Sequence, residues 1–531
     1  MPTLLLLCAV ILILCLAGNR LSHKFGVPAL LLFMGLGMLF GSDGLFKIPF
    51  DNYQFAEQIC SVALIFIMFY GGFGTNWNAA KPVAGRAGLL SSAGVILTAA
   101  LTGLFCYFIL RFAFLESMLI GAVISSTDAA SVFSILRSKK LNLKEHTASL
   151  LEIESGSNDP FSYMLTVIIL TLMQGSSSAG SIAYLIFAQV VYGAIFGVVI
   201  AVAAIWILRR LSFSQSGMDT IFVLAIALLS YAIPTALGGN GYLSAYITGI
   251  LIGNAKVKNK TSLVHFFDGV TGLMQIVIFF LLGLLAFPST LPHILLPALA
   301  IALFLSLVAR PAVVFGLLQP SRSSLGQKLL VSWSGLRGAS SIVFAIMATI
   351  SPAYTKNDVF HIVFCIVLLS ILFQGSLLPW VAKKLQMVDA TTDVRRTFND
   401  YQEELELHFI ESHIPEGHEW AGKPVRSIGL PPGTLLVVLL RGAETIIPSG
   451  KTMIQSGDTA ILSALAFDDA PDLSLLELHV ADRPAWIGKT LSEITLSPHQ
   501  LVILMKRNGR TIFPKGNTMI KEDDIMVLMS K

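Results

Sequence analysis

The chain has 531 residues, of which 54% are hydrophobic and only 13% are charged, and its mean hydropathy is +0.75. This composition is too apolar for a soluble protein of that length, so we predict an α-helical polytopic membrane protein. The formal net charge is only +4, and the lysines and arginines gather in separate loops and not on one basic face. Nucleic acid is therefore not expected as a partner.

Apolar runs of about 16 to 25 residues, enough to cross ~30 Å of hydrocarbon, recur from the N-terminus to about Ala382. The first run, Leu4 to Ala17, lacks the positive start and the cleavage site of a signal peptide, so we interpret it as a spanning helix. We predict about thirteen transmembrane helices, near residues 3–18, 28–41, 57–74, 87–110, 115–136, 146–173, 181–208, 218–237, 241–254, 266–287, 293–318, 327–350 and 358–382.

Positive charge distinguishes the loops between these predicted spans. The odd-numbered loops hold most of the basic residues, whereas the even-numbered loops hold only Lys47, Arg111 and Lys356. Because cytoplasmic loops are enriched in Lys and Arg, the alternation predicts an outside N-terminus and a cytoplasmic C-terminal domain. The cysteines fall in apolar runs without metal-like spacing and are interpreted as small buried hydrophobic residues, namely Cys8, Cys15, Cys60, Cys106 and Cys365.

Acidic residues lie inside two predicted spans. Span five contains Asp128, and span six contains the run Glu152–Pro160. A carboxylate inside a membrane helix is costly unless it faces protein, water or an ion, so these residues are candidates for an ion pathway. Helical spacing places Ser155 and Asp159 on one strip of span six, with Glu154 and Asn158 on the adjoining strip.

Pro160 follows Asp159 directly and lacks an N–H, so the carbonyl of Gly156 loses its helical partner. We therefore expect a helix break at Pro160, with a free backbone oxygen beside Asp159. Carboxylate, hydroxyl and carbonyl oxygens suit a hard monovalent cation, and no set of Cys and His accompanies them that would indicate another metal.

Burial disfavours the ionised form of a carboxylate, which either a proton or a cation can neutralise, but not both at once. This competition amounts to an exchange mechanism, for which Asp159 is the first candidate and Asp128 the second. The alternative is that both only pair with a buried base such as Arg337. For Glu152 and Glu154, which lie nearer the predicted cytoplasmic end, a supporting salt bridge is the preferred interpretation.

Two basic residues lie inside spans eleven and twelve. Arg310 precedes Pro311, where we expect a helix break, and Arg337 lies among small residues between Ser334 and Ser341. A buried cation needs an anionic or carbonyl partner, and Glu154 with Arg337 is the preferred charge pair. The small residues either let helices approach closely at a functional site or are packing surface alone.

Over about its first 385 residues the chain resembles the NhaP-type sodium or potassium/proton antiporters of bacteria, at Thr127-Asp128, Glu154–Pro160, Arg310-Pro311 and Gly335–Gly338. The resemblance implies inverted repeats, a homodimer in the bacterial cytoplasmic (inner) membrane and an elevator-like motion of a core bundle. Membrane lipid, a monovalent cation and protons are then the expected partners.

The same resemblance implies roles for individual residues. Asp159 would carry the cation and the proton, Thr127, Asp128 and Ser155 would assist, and Asn158 would steady an unwound helix crossing. The pair Asn158-Asp159, in place of two aspartates, implies electroneutral one-for-one exchange.

The chain departs from the family pattern at two positions. Many relatives have Thr-Asp-Pro where this chain has Ala129 after Asp128, and an acidic residue where this chain has Tyr70. A water-mediated acidic ligand is therefore expected to be missing, and any support from Tyr70 is of another kind. The Thr-Asp-Ala variant with a tail is more similar to the potassium/proton branch, so potassium is favoured and sodium is the alternative.

The composition changes after Lys383, where a polar linker leads to short β-like runs separated by turn residues. We expect a transmembrane domain at 1–385, linkers at 386–404 and 464–475, and a cytoplasmic α+β domain of two repeats at 405–463 and 476–531. The repeat is visible without gaps at a shift of 66 residues, which carries Trp420, Gly422, Lys423, Arg441, Pro448, Gly450 and Asp458 onto Trp486, Gly488, Lys489, Arg507, Pro514, Gly516 and Asp524.

Each repeat resembles the C-terminal ligand-binding subdomain of potassium-conductance regulators, called TrkA-C. The resemblance implies that the two copies pair and bind a small ligand, for which a nucleotide is the candidate, although the tail lacks a Gly-x-Gly-x-x-Gly motif. The alternative is a tail that only aids assembly. No other cofactor is expected.

Two other classes of function have less support. A ligand-gated cation channel would explain the tail, but the chain has no filter-like Thr-Val-Gly sequence. An intramembrane enzyme lacks His-Glu-x-x-His, and no histidine near Ser155 in the sequence can act as its base. We therefore predict a transporter and not an enzyme.

Overall fold

The structure is a computed structural model with two compact units, Met1–Gln402 and Glu403–Lys531. It describes residues 2–25, 28–139, 141–175, 178–210, 217–257, 260–321, 323–353, 355–389, 407–431, 433–442, 444–465, 474–494, 496, 500–507, 510–512 and 514–530. Residues 390–404 of the first predicted linker and 466–473 of the second lie outside the described residues.

Most of the described residues of the first unit are helical. Up to residue 173 its helices are α1 (Pro2–Phe25), α2 (Ala29–Phe40), α3 (Tyr53–Gly74), α4 (Trp77–Ala80), α5 (Ala84–Leu89), α6 (Val95–Phe108), α7 (Phe114–Val123), α8 (Ala129–Ser138) and α9 (Thr147–Met173). A π-helical segment, Leu90–Gly94, joins α5 to α6.

The remaining helices of this unit are α10 (Ala179–Arg210), α11 (Met218–Ala236), α12 (Gly241–Asn254), α13 (Lys260–Leu285), α14 (Leu291–Phe304), α15 (Arg310–Leu318), α16 (Leu325–Trp333), α17 (Ala339–Ile350), α18 (Val359–Leu369) and α19 (Ser376–Lys384). π-helical segments Leu305–Ala309 and Ser370–Gly375 join α14 to α15 and α18 to α19.

Among the described residues, the helices long and apolar enough to cross a membrane are Tyr53–Gly74, Ala84–Phe108, Ala179–Arg210, Met218–Ala236, Lys260–Leu285, Leu291–Leu318 and Val359–Lys384. Shorter apolar helices lie at Leu5–Gly18, Ala29–Phe40, Phe114–Val123 and Ala339–Ile350. Many large apolar side chains point away from the protein, as expected for helices that face lipid. The count of thirteen spans stays a prediction.

Side-chain caps fix where several helices begin. Asn52 accepts a hydrogen bond from the Phe55 N–H at 2.9 Å, and Asn240 accepts one from the Leu243 N–H at 3.0 Å. These contacts satisfy amide groups that have no partner in the first turn of a helix. The helices then pack closely, and a Cβ on Gly249 of α12 would lie 2.1 Å from the carbonyl oxygen of Phe69 on α3.

The order of helix types occurs twice in the first unit. A helix with a π-helical segment (α5–α6 or α14–α15) is followed by a helix broken in its middle (α7–α8 or α16–α17) and then by a third helix (α9 or α18–α19). Each broken helix was predicted as a single continuous span. The breaks comprise residues 124–128 and 334–338.

Both predicted proline breaks are wrong. The helix α9 continues through Pro160 for 27 residues, and the carbonyl of Pro160 accepts a hydrogen bond from Asn240 Nδ2 at 2.8 Å. At Arg310-Pro311 the preceding residues form a π-helical turn that leads directly into α15. A proline removes one helical hydrogen bond, and neighbouring helices or a local π turn can accommodate that loss without ending the helix.

Four of the five cysteines are buried as predicted, namely Cys15, Cys60, Cys106 and Cys365. Cys8 is exposed, so its predicted burial is wrong. It lies on α1, whose packing within this unit is mainly against α2. One face of α1 therefore remains uncovered.

A short two-stranded ladder joins the end of α19 to the connection between α8 and α9. Strand β1 (Asn142–Leu143) pairs antiparallel with β2 (Val388–Asp389), and the Lys144 N–H donates to the Met387 carbonyl at 2.8 Å. Leu143 and Met387 are buried in the same apolar cluster as Leu151 of α9. The chain that leads toward the second unit thus starts in contact with the segment just before α9.

The second unit contains two four-stranded sheets of identical topology. Their strands are β3 (Leu407–His413), β4 (Thr434–Arg441), β5 (Glu444–Ile446), β6 (Thr459–Leu465), β7 (Ser474–His479), β8 (Gln500–Arg507), β9 (Arg510–Ile512) and β10 (Ile525–Ser530). The strand orders β3-β6-β4-β5 and β7-β10-β8-β9 match one to one, with all neighbours antiparallel. The internal repeat predicted from the sequence is confirmed. Helical structure in the described residues of this second unit is limited to single 3₁₀ turns.

Each repeat contains an equivalent ion pair between a partly exposed arginine and a buried aspartate. Arg441 Nε and Nη2 donate to the two carboxylate oxygens of Asp458, each at 2.8 Å, and Arg507 contacts Asp524 in the same way at 2.6 and 2.7 Å. The hydrogen bonds from Arg441 and from the Gln455 N–H lower the pKa of Asp458 and outweigh its burial. The paired arginine and aspartate thus tie the last strand of each repeat to its neighbour.

Candidate functional site

The two helix breaks of the first unit cross each other. The Asp128 N–H, in the first break, donates to the Leu336 carbonyl, in the second, at 2.8 Å. Arg337 Nη1 donates to the carbonyls of Ser125 and Ser126 at 2.8 and 2.6 Å. Two non-helical segments, far apart in sequence, are thus joined by backbone groups that the breaks leave without helical partners.

The charges at the crossing complement the ends of the half-helices. The carbonyl end of α7 carries partial negative charge, and the Arg337 guanidinium, which is 1% exposed, donates to it. At the amide end of α8, Asp128 accepts hydrogen bonds from the N–H of Ser131 at 3.2 Å and from its hydroxyl. Asp128 therefore caps α8 in addition to any role toward an ion.

Gly338 allows this approach of the two breaks. A Cβ built on Gly338 would lie 2.2 Å from the Asp128 Oδ2 and 2.4 Å from its Cβ. Real Cβ atoms do not approach other atoms so closely, so only glycine fits against Asp128 here. The small residues around Arg337 therefore include one with a specific steric role at the crossing.

Asp159 reaches the crossing from α9. It is 4% exposed, and its Oδ1 accepts a hydrogen bond from the Ser126 hydroxyl in the first break. The Ser126 hydroxyl lies 2.9 Å from the hydroxyl of Ser340, in the first turn of α17. Asp159 has no ion-pair partner within the part of the chain that the structure describes.

Two further polar residues of the predicted site contact Thr127. The Ser155 hydroxyl donates to the Thr127 carbonyl at 2.5 Å, and Asn158 Nδ2 donates to the Thr127 hydroxyl at 2.6 Å. The Asn158 Oδ1 is buried and has no hydrogen-bond partner among the described residues. The structure thus brings together Asp159, Asp128, Thr127, Ser155 and Asn158 around the first break.

Glu154 pairs with Arg310 and not with Arg337, so the predicted charge pair is wrong in its partner. Glu154 Oε1 lies 2.5 Å from Arg310 Nη2, and both side chains are buried. The Arg337 guanidinium is instead engaged by the backbone carbonyls at the end of α7. Sequence alone offered two buried arginines for one glutamate and no geometry to choose between them.

Tyr70 and Glu152, two further residues considered in the sequence analysis, lie on α3 and α9. The Tyr70 hydroxyl, on α3, lies 3.5 Å from Asp268 Oδ1 on α13, and its ring stacks against Phe73 and Phe267. Glu152 is buried on α9, two turns before Asp159. Tyr70 therefore contributes to the contact between α3 and α13, and Glu152 lies on the same helix as Asp159.

Sequence reasoning missed two residues that contact the site. Ser126 and Ser340 both lie within the runs of small polar residues that surround Asp128 and Arg337, but serine is frequent in membrane helices and its sequence context does not show a partner. The contacts join residues 33 and 214 positions apart. Only the crossing of the two breaks brings them together.

The arrangement offers hard oxygen ligands around one buried carboxylate. Carboxylate, hydroxyl, amide and carbonyl oxygens come from Asp159, Asn158, Ser155 and Thr127, and these groups suit a hard monovalent cation. A buried carboxylate without a basic partner is neutralised by binding either a proton or a cation. Either a proton or a cation would neutralise the Asp159 carboxylate.

Comparison with known proteins identifies both units. Residues 9–384 match the family model described as "Sodium/hydrogen exchanger, transmembrane", and residues 409–465 and 475–531 each match the model of the TrkA-C domain. The first model spans most of the chain and includes every residue of the crossing. The two tail matches are offset by the 66 residues of the internal repeat.

Several curated relatives are antiporters. The chain is 33% identical over 446 residues to the K(+)/H(+) antiporter NhaP2 of Shewanella sp. (strain ANA-3), covering 83% of this chain and 77% of that protein. It is 36% identical over 384 residues to the K(+)/H(+) antiporter NhaP of Alkalimonas amylolytica, covering 72% and 67%. The Na(+)/H(+) antiporter NhaS2 of Synechocystis sp. is 26% identical over 344 residues, covering 62% of each chain.

The fold matches a solved structure. The sodium proton antiporter MjNhaP1 of Methanocaldococcus jannaschii superimposes with a TM-score of 0.62 at 24% identity, covering 72% of this chain and 99% of that one. At this identity the match shows a shared fold.

Proposed function

The chain belongs to the sodium/hydrogen exchanger family, whose members are multi-pass membrane cation/proton antiporters, and we propose that it exchanges potassium for protons across the bacterial cytoplasmic (inner) membrane. The relatives are transporters and not enzymes, as the sequence predicted. The observation that carries the proposal is the placement of Asp159, buried at the crossing with oxygen ligands around it and no basic partner among the described residues.

The proposed reaction is a competition for Asp159. When a proton occupies the carboxyl, the Asp159 side chain is uncharged and no longer attracts the cation. When the proton leaves, the carboxylate and the oxygens near Thr127 form a site for a dehydrated cation. Because a single carboxylate alternates between the two, with Asn158 in the adjacent position, we propose electroneutral one-for-one exchange.

The choice of potassium rests on the relatives and on the Thr127-Asp128-Ala129 sequence. The two relatives with 33% and 36% identity are named as K(+)/H(+) antiporters, whereas the one with 26% identity is named as a Na(+)/H(+) antiporter. Sodium/proton exchange by the same site is the second candidate.

The proposed transport motion is elevator-like, in a homodimer. Helix α3 packs closely against both α12 and α13, while α9 packs mainly against α7, α5 and the π-helical segment between α5 and α6. This packing supports a division into a scaffold around α3 and a bundle of helices around α9 that carries Asp159. In the proposed motion, the bundle moves along the scaffold. The basic residues of the odd-numbered loops support an outside N-terminus and a cytoplasmic tail.

We also propose that the tail regulates exchange. Two TrkA-C repeats support binding of a small ligand, with a nucleotide as the candidate. The β1–β2 ladder offers a connection, because it attaches the residues just after α19 to the segment that precedes α9. A displacement of β2 would therefore be transmitted to residues close to both broken helices and to α9, the helix that carries Asp159.

Proton flux in vesicles with purified protein tests the proposed cation. Potassium and rubidium gradients, imposed separately in matched vesicles, should move protons more strongly than sodium or lithium gradients of the same size, as followed with a trapped pH dye. A response to sodium alone would replace potassium by the second candidate. Flux that depends on an imposed membrane potential would contradict one-for-one exchange, and single-channel currents would contradict an antiporter.

A further inference from the structure

Two linked serine hydroxyls contact the carboxyl of Asp159. Ser126 Oγ donates to Asp159 Oδ1, and the same Oγ lies 2.9 Å from Ser340 Oγ. Ser126 belongs to the first helix break, Ser340 to the first turn of α17, and Asp159 to α9. All three are buried, so three separate elements meet at the Ser126 hydroxyl.

A chain of hydroxyls suits a carboxyl that changes its occupant. A serine hydroxyl has one donor hydrogen and two acceptor lone pairs. If Ser126 donates to Asp159, Ser340 can donate to Ser126, and if the carboxyl is protonated each bond can reverse its direction. The same two side chains therefore hold Asp159 with either occupant, whereas an alanine would leave a buried oxygen without that partner.

The backbone around Ser126 is itself held by the second break. Its carbonyl accepts a hydrogen bond from Arg337 at 2.6 Å, and the Asp128 N–H donates to the Leu336 carbonyl at 2.8 Å. These backbone contacts fix the position of Ser126 relative to both breaks, and its hydroxyl contacts Asp159 from that position. Any change in the crossing would be passed to the carboxyl through this hydroxyl.

We propose that Ser126 and Ser340 are positioning residues of the exchange site, whose linked hydroxyls orient the Asp159 carboxyl at the helix crossing and thereby set the affinity for the cation. The inference rests on the proposed exchange at Asp159 and adds two residues to it. It also assigns a role to hydroxyls that the sequence could not single out.

The test measures potassium-driven proton flux in vesicles for Ser126→Ala and Ser340→Ala. Because a hydrogen bond to a charged group changes an equilibrium about tenfold or more, the apparent KM for potassium should rise about tenfold in Ser126→Ala. The maximal rate should change much less. Ser126→Thr, which keeps a hydroxyl, should restore the KM to near the wild-type value.

Ser162→Ala is the matched control. Its buried hydroxyl, on the same helix as Asp159, donates to the Ala122 carbonyl of α7 at 2.6 Å. Its removal costs a similar interhelical bond but should leave the KM unchanged. Thermal unfolding in detergent confirms that each variant is folded, and Ser340→Ala, which keeps Ser126 in place, serves if Ser126→Ala does not fold.

A KM in both alanine variants equal to that of wild type and Ser162→Ala would overturn the inference. A lower maximal rate at unchanged KM would also overturn it, because it would show a merely structural role, as would failure of Ser126→Thr to restore the KM. A wild-type protein without cation-driven proton flux would overturn the proposed function instead, so the two failures are distinguishable.

Discussion

At the scale of residues, Asp159 is buried at the helix crossing, and its Oδ1 accepts a hydrogen bond from the Ser126 hydroxyl. Asp159 was identifiable because an acidic residue in an apolar helix is costly and therefore informative. Its neighbours Ser155 and Asn158 followed from helical spacing. Ser126 and Ser340 could not be predicted, since they reach Asp159 only through the crossing of two breaks.

The buried charge pair gives the first residue-scale prediction. Glu154→Gln leaves Arg310 buried without its partner, which should destabilise the protein by about 3–5 kcal/mol. Thermal unfolding of the detergent-solubilised protein measures the loss. Replacing both partners by apolar residues, Glu154→Leu with Arg310→Met, should recover most of it.

The double variant Glu154→Leu with Arg337→Met provides the matched comparison. It should be no more stable than Glu154→Leu alone, since Arg337 donates to the carbonyls of Ser125 and Ser126. Recovery of stability in this variant, and not in the one with Arg310→Met, would show that the sequence-based pair was right after all.

At the scale of elements, apolar length predicted where helices lie, but not where they break. Residues 124–128 and 334–338 contain small and polar residues that are also compatible with a continuous helix, so spans five and twelve were predicted unbroken. Conversely, the prolines led to predicted breaks where the helix is continuous, since α9 continues through Pro160. Tertiary contacts, such as the bond between Asp128 and Leu336, decide which segment unwinds.

The steric fit of the crossing gives an element-scale prediction. Gly338→Ala would place a Cβ 2.2 Å from Asp128 Oδ2, so either the cap of α8 or the start of α17 must move. Cation-driven proton flux should fall at least tenfold. Gly71→Ala, on α3, is the control, because a Cβ there meets nothing within 4 Å and exchange should persist. Wild-type flux in Gly338→Ala would contradict this account of the crossing.

The ion pairs of the tail predict a pH-dependent stability. The hydrogen bonds from Arg441 lower the pKa of Asp458, so its stabilising contribution is present above the usual aspartate pKa of about 4 and is lost as the pH falls below it. Asp458→Asn should therefore destabilise the first repeat by about 1–3 kcal/mol at pH 7. The difference from wild type should shrink as the pH falls below about 4.

Hydrogen exchange of β6 in the full chain measures this effect, after correction for the intrinsic pH dependence of exchange. Strand β10 of the second repeat is an internal control, because its Arg507–Asp524 pair is unchanged. Equal protection of β6 in wild type and Asp458→Asn at pH 7 would show that the pair does not stabilise the repeat.

At the scale of the whole molecule, the change in composition near residue 383 and the ungapped repeat predicted the two-part organisation well. The repeat is visible in the sequence because each copy packs equivalent residues, such as Trp420 and Trp486, against its own small core. The ladder between β1 and β2 was not predicted. Two-residue strands leave no recognisable pattern in a sequence.

Removal of the tail tests its regulatory role. A chain that ends before Arg395 keeps every described helix of the first unit and the β1–β2 ladder. It should retain exchange, but the dependence of its rate on pH or on an added nucleotide should differ from that of the full chain. Identical profiles for the two proteins, at equal thermal stability of the membrane unit, would leave the tail with assembly alone.

The central claim is that Asp159 carries the cation and the proton in turn, and Asp159→Asn tests it most directly. In vesicles with a potassium gradient the wild-type protein should move protons and Asp159→Asn should not, because an amide neither binds the proton nor neutralises the cation. Glu116→Gln is the matched control, since its buried side chain can still accept the hydrogen bond from the Asn357 N–H. It should exchange at the wild-type rate, whereas potassium-driven proton flux that survives in Asp159→Asn would contradict the claim.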